Sequence, residues 1–168
     1  MRALLPGCLA LAVAALPLHA QQAPRGCPDP GQWQFDFWVG EWEVTDSAGT
    51  RPMGTSEVTR EENGCLVHEH WHGRGGSSGQ SFNYLDPSGR WQQDWVGSGG
   101  GILHLAGGLD GTAMVLTGAS KQPNGATQLQ RVSLIPQPDC RVRQFWQVSN
   151  DGGATWTVSF DGWYRRRG

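Results

Sequence analysis

The chain has 168 residues, of which 25 are glycine and 9 tryptophan, and a single lysine stands against twelve arginines for a formal charge of −2. That near-balance leaves no electrostatic footprint for DNA or RNA, and the length allows one domain. After Gly31 the longest glycine-free stretch, 126–151, is broken by Pro136 and Pro138, which excludes a helix bundle or a helix-rich α/β fold.

In chain order, the first predicted element is a leader. Met1-Arg2 is a basic start, residues 4–18 are rich in Leu, Ala and Val, and Leu18-His19-Ala20 offers a cleavage site. The pattern predicts a signal peptide over 1–20, too short for a membrane span. The mature chain then begins near Gln21, in the periplasm or outside the cell. No later stretch reaches membrane length.

From Trp38 onward the chain reads as ten short strands: 38–45, 54–61, 65–72, 80–85, 90–97, 102–107, 113–119, 127–135, 141–149 and 155–165. Between them lie turn signals such as Asn63-Gly64, Asp110-Gly111 and Gly152-Gly153. Asn-Gly and Asp-Gly supply the positive φ of tight hairpins. Connections this short make neighbours antiparallel, and closure removes both exposed edges. The expectation is an all-β, up-and-down barrel over 38–168.

Alternating ends place the Asn63-Gly64 and Pro138-Asp139 turns on the rim where the first strand starts. Cys27, Cys65 and Cys140 therefore gather near one rim, in a compartment that favours one disulfide. Residues 21–37 are expected to plug that rim, tied through Cys27 to Cys65 or to Cys140, with Cys65 the preferred partner.

The two-residue period of a strand assigns faces. It turns Trp38, Gly40, Trp42 and Val44 inward, then Val67, Glu69 and Trp71, then Ser81, Asn83 and Leu85. Trp91, Gln93 and Trp95 follow, then Val142, Gln144, Trp146 and Val148. In the last strand Trp156, Val158, Phe160 and Tyr164 share the inner face. A core built for packing alone prefers Leu, Ile and Val. Aromatic walls with a few convergent polar groups suit a ligand cavity instead. The expected ligand-binding set is Glu69, Trp71, Asn83, Gln93, Trp95, Gln144, Trp146, Phe160 and Tyr164. A filled barrel whose polar groups satisfy one another is the competing expectation.

Gly40-Glu41-Trp42 is similar to the Gly-x-Trp signature of lipocalins and related calycin barrels. That resemblance implies a Trp packed over the closed end beneath an Arg of the last strand, with Arg165 as the candidate here. The fuller set resembles a family of uncharacterised bacterial secreted proteins with a lipocalin-like domain. It comprises 35–44, Gly64-Cys65, Glu69-His70-Trp71, Trp91-Gln92-Gln93-Asp94-Trp95, Val142-Arg143-Gln144-Phe145-Trp146 and 149–153. The resemblance spans nearly the whole mature chain and implies a calycin-type barrel with no established activity. Haem-binding barrels of the nitrobindin type share that architecture, but the last predicted strand has no His to ligate iron, so no cofactor is expected.

Three motifs remain. Ser149-x-Asp151-x-Gly153-x-x-Trp156 matches the Asp-box of sialidases, a hairpin stabiliser, so Asp151 and Trp156 are read as structural. His68, His70 and His72 share one face of a strand. Imidazoles so spaced could ligate zinc or copper, but three successive same-face residues span about 13 Å, so a third ligand would have to come from elsewhere, such as His104. A polar outer face is the preferred reading, and no metal is expected. Glu69 is the only acid on its inner face, where desolvation would raise its pKa. It could fix a ligand's polar end, pair with Arg131, or act as general acid or base. Of Arg165, Arg166 and Arg167, only the first is expected to be engaged.

These readings point to a secreted, non-enzymatic binder of a small, mostly apolar or amphipathic ligand, monomeric or dimeric. The alternatives are a barrel isomerase or cyclase using Glu69, and a filled barrel serving as a structural or interaction module.

Overall fold

The structure, a computed structural model, describes residues 26–27 and 29–168. The predicted leader lies outside the described residues. Ten strands form a closed antiparallel barrel: β1 (Gly40–Thr45), β2 (Pro52–Glu61), β3 (Leu66–Gly73), β4 (Ser78–Leu85), β5 (Trp91–Gly97), β6 (Ile102–Asp110), β7 (Ala113–Lys121), β8 (Thr127–Pro136), β9 (Val142–Ser149) and β10 (Thr157–Arg166). Each strand pairs with its neighbour in sequence, and β1 closes on β10 through Trp42↔Arg166 to Thr45↔Trp163. Closure leaves no unpaired edge. Among the described residues, no helix is long and apolar enough to cross a membrane.

One end is stopped by a 3₁₀ segment, Pro30–Trp38. Pro30 opens it where a missing N–H costs nothing, and Asp29 Oδ1 accepts from Gly31 N at 2.7 Å. Trp38 therefore belongs to this plug and not to the first strand, which starts at Gly40 with φ 147°. Phe35 and Trp38 point into the barrel end and are fully buried. Phe35 meets Trp91 edge-on at 5.1 Å, and Trp38 meets Tyr164 at 6.3 Å. Trp91 Nε1 donates to Gln34 Oε1 at 3.0 Å. Arg60, which the strand pattern did not single out, ties the plug down. Its guanidinium donates to the carbonyls of Gln32 and Gly64 and to Asp36, and it stacks over Trp33.

The plug is also covalently held, by a disulfide between Cys27 and Cys65. Cys140 is free and exposed on the β8–β9 turn of the same end, with φ 63°. Gly40-x-Trp42 sits just above the plug. Trp42 Nε1 donates to Trp38 O at 2.9 Å. The arginine over the Trp42 ring is Arg166, at 4.6 Å, and it also donates to Val39 O at 2.9 Å. Arg165, the expected partner, faces outward and pairs with Glu43 at 3.0 Å. The strand register explains the exchange, since Arg166 is paired with Trp42 and so shares its face.

The inner faces of β6, β7 and β8 supply the aliphatic part of the core: Leu105, Met114, Leu116, Val132 and Leu134. The last strand departs from a simple period of two. A bulge between Val158 and Phe160 shifts the register, so Phe160 and Tyr164 face inward while Val158 is 56 % exposed. Trp156 also lies on the outer side, beneath Arg131 at 4.1 Å. The expected inward placement of Trp156 and Val158 is corrected accordingly.

Candidate ligand cavity

The barrel is not filled. A cavity of about 90 Å³ is lined by Glu69, Trp71, Gln93, Trp95, Leu103, Val132, Gln144, Trp146, Phe160 and Tyr164. Eight of the nine residues expected to bind a ligand are among these ten. Asn83 is the exception: it is fully buried behind the wall, donating to Val67 O (2.9 Å) and Ser81 Oγ (3.0 Å) and accepting from Gln93 Nε2 (2.7 Å).

The lining is sorted along the barrel axis. Strands β3, β5 and β9 all run from the plugged end toward the open end. On each, a polar residue is followed two positions later by a tryptophan: Glu69 then Trp71, Gln93 then Trp95, Gln144 then Trp146. β10 runs the other way, and there Phe160 precedes Tyr164. The polar groups thus form a floor nearer the plug, and the aromatic rings form walls above it. This threefold polar-x-Trp spacing is itself a sequence signal of the two layers.

Glycines make room for the rings. A Cβ on Gly79 would come within 2.3 Å of Trp95 Cζ2, and one on Gly162 within 2.3 Å of Phe160 Cε1. On β2, a Cβ on Gly54 would meet Trp71 Cη2 at 2.6 Å. Trp95 and Trp71 therefore each lie against a neighbouring strand that has no side chain there, and Phe160 folds over Gly162 of its own strand. Trp71 and Phe160 stand perpendicular, with centroids 5.8 Å apart. Trp146 is held by a hydrogen bond from Nε1 to Gln130 Oε1 at 2.7 Å, and Gln130 in turn donates to Ser120 and Gln128. Gln130, buried and unremarked in the sequence, positions that wall.

At the floor, Glu69 is 3 % exposed. Its carboxyl accepts from Ser56 Oγ (2.9 Å), Ser81 Oγ (3.1 Å) and, more weakly, Tyr164 Oη (3.4 Å). The single Tyr164 O–H is shared, and its main acceptor is Gln144 Oε1. Burial pushes the Glu69 carboxyl up to about 7, and the hydroxyl donors only partly offset it. The Tyr164 hydroxyl is raised well above its ordinary value by burial and by the neighbouring Glu69. Ser56 was missed because β2 was assigned no faces. Arg131, a candidate partner for Glu69, is not one. It lies on the outer face, where its guanidinium donates to Gln147 Oε1 at 2.9 Å.

The histidine run faces outward. His68 is nonetheless buried: Nδ1 donates to Glu61 Oε1 at 3.0 Å, Nε2 lies 2.9 Å from Gln80 Oε1, and the ring stacks on Phe82 at 4.5 Å. His104 is engaged by Asp94 on β5, at 2.5 Å. Among the described residues, no group of three or more His, Cys, Asp or Glu is placed to hold a metal ion.

The Asp-box geometry is that of a braced hairpin. Asp151 Oδ1 accepts from Ser149 Oγ (2.7 Å) and Thr155 N (2.9 Å), Ser149 Oγ accepts from Gly153 N (2.8 Å), and Trp156 Nε1 donates to Gly153 O (3.1 Å). These bonds hold the Asp151 carboxyl well below the usual range. No protein-family model matches the chain, and no curated protein does.

Proposed function

We propose that the protein is a secreted or periplasmic calycin-type barrel that binds a small, mostly apolar ligand in its lumen without transforming it. The observation that carries the reading is the two-layer cavity, with a polar floor at Glu69, Gln93, Gln144 and Tyr164 beneath walls of Trp71, Trp95, Trp146 and Phe160. A barrel built only for stability would fill this space, since an unfilled void forfeits packing energy. The layering orients an amphipathic ligand, polar end down. The volume bounds its size. Drug-sized ligands occupy cavities of roughly 300–1,000 Å³, so about 90 Å³ suits a single ring or a compact branched group. The Trp42–Arg166 stack above the plug supports the calycin reading. The Cys27–Cys65 disulfide supports an oxidising compartment.

The test is a native mass spectrum of protein purified from the periplasm or culture medium, combined with binding by the Glu69→Gln variant. A carrier shows an adduct of single-ring size that stays chemically unaltered on incubation with the wild type and with the variant. A second reading, acid–base catalysis, is favoured by one observation: the carboxyl at the cavity floor titrates near 7, where a general acid or base is most effective. Under that reading the adduct is chemically altered on incubation, and Glu69→Gln abolishes the change.

A further inference from the structure

Resting on the cavity reading above, we infer that the ligand is a small organic cation, an ammonium group carrying apolar substituents, with Glu69 as its counter-ion and Trp71, Trp95, Trp146 and Phe160 as its walls.

Three observations lead there. The cavity lining contains one acid and no lysine, arginine or histidine. Glu69 is buried with hydroxyl donors only, from Ser56, Ser81 and Tyr164, so among the described residues no cation neutralises it. Placing an acid alone in an aromatic box is costly. A cationic ligand removes that cost, whereas an anionic ligand raises it. Second, four aromatic side chains surround so small a space, three of them laid against glycines and one pair perpendicular. Rings gathered this way are the usual receptor for ammonium groups carrying methyls, through attraction of the cation to the ring quadrupole. Third, the size agrees. A cavity of about 90 Å³, well below the roughly 300–1,000 Å³ of drug-sized sites, suits a compact head such as tetramethylammonium. The mouth lies on the far side of the rings from Glu69, so a longer substituent can extend outward.

The titration of the floor supports the same assignment. The groups facing the Glu69 carboxyl are Ser56 on β2, Ser81 on β4 and Tyr164 on β10, with Gln144 of β9 behind Tyr164. His68, next in sequence, turns its ring outward to Glu61 and Gln80. Glu69 is thus the one group at the floor that changes charge near neutrality. A bound cation holds it ionised, so binding at pH 7 releases protons, and affinity falls as the pH drops below 7.

The experiment titrates the folded full chain at pH 8 with tetramethylammonium chloride and, separately, with tert-butanol, a neutral molecule of similar size. The indole N–H resonances of Trp71, Trp95 and Trp146 report binding. The expected result is saturable shifts with a preference of about tenfold or more for the cation, lost in Glu69→Gln while the alcohol still binds. Should Glu69→Gln fail to fold, the same preference measured in the wild type at pH 5 and pH 8 decides, and it must shrink at pH 5. Equal binding of both molecules, or a preference indifferent to Glu69 and to pH, overturns the cation assignment and leaves the cavity reading standing. Binding of neither overturns both.

Discussion

Burial pushes the Glu69 carboxyl from 4.5 up to about 7, and this makes stability depend on pH with a definite sign. Between those values the folded protein keeps a proton that the unfolded chain has released. Stability therefore falls as pH rises through that window and is level above it. At about 1.4 kcal/mol per pKa unit the total is about 3 kcal/mol. Asp86 and Asp151 act oppositely: turn hydrogen bonds lower both, so their contribution is present above about pH 4 and lost below it. Urea unfolding across pH should show a maximum between about pH 4 and pH 5, and Glu69→Gln should flatten the fall from pH 5 to pH 7. A steady rise to pH 7 would contradict the placement of Glu69. Elsewhere at this scale, Arg166 and Arg165 separate two kinds of surface arginine. Arg166→Ala removes a ring stack and a hydrogen bond to Val39 O and should cost about 1–2 kcal/mol. Arg165→Ala breaks only an exposed ion pair with Glu43 and should cost under about 0.5 kcal/mol. The resemblance put Arg165 over Trp42, whereas the inner-face period that holds Phe160 and Tyr164 continues to Arg166, which the β1–β10 register sets opposite Trp42. No local pattern specifies a pairing between strands 122 residues apart.

At the scale of elements, the plug and the Asp-box hairpin stabilise opposite ends of the barrel. The disulfide closes a loop with a sequence separation of 38, for which the loop-entropy relation gives about 4 kcal/mol. Cys27→Ser should lower stability by about that amount. Cys140 bears no such load, and its φ of 63° is unfavourable for any residue with a Cβ. Cys140→Gly should therefore leave stability unchanged or raise it by about 1 kcal/mol. Peptide-mapped alkylation of the folded, oxidised protein should mark Cys140 and spare Cys27 and Cys65. Asp151→Ala removes the acceptor of the β9–β10 turn and should lower the urea midpoint, with ligand affinity unchanged because the hairpin stands outside the cavity. The hairpins and the plug were legible because turn chemistry and cysteine placement are local or follow from alternation of ends. The Val158–Phe160 bulge was not. An inserted residue leaves no mark in a hydrophobic alternation that continues on both sides of it.

For the whole molecule, the barrel follows from strand count, short turns and the need to bury edges, and the sequence carried all three. The character of the lumen was also legible, because aromatic residues and isolated polar residues alternate on the same face. What the sequence could not supply is distance around the barrel. Asn83 shares the period of the lining, yet Ser81 and Gln93 cover it, and Ser56 and Gln130 serve the site from strands whose faces alternate less clearly. The decisive measurement is a titration of the protein with a small neutral ring compound such as phenol, reading all indole N–H resonances, repeated with Val132→Phe to fill the cavity. An open lumen predicts saturable shifts at Trp71, Trp95 and Trp146, none at Trp33 or Trp42, and loss of the effect in Val132→Phe. Shifts that never saturate, or that survive the filling substitution unchanged, would contradict it.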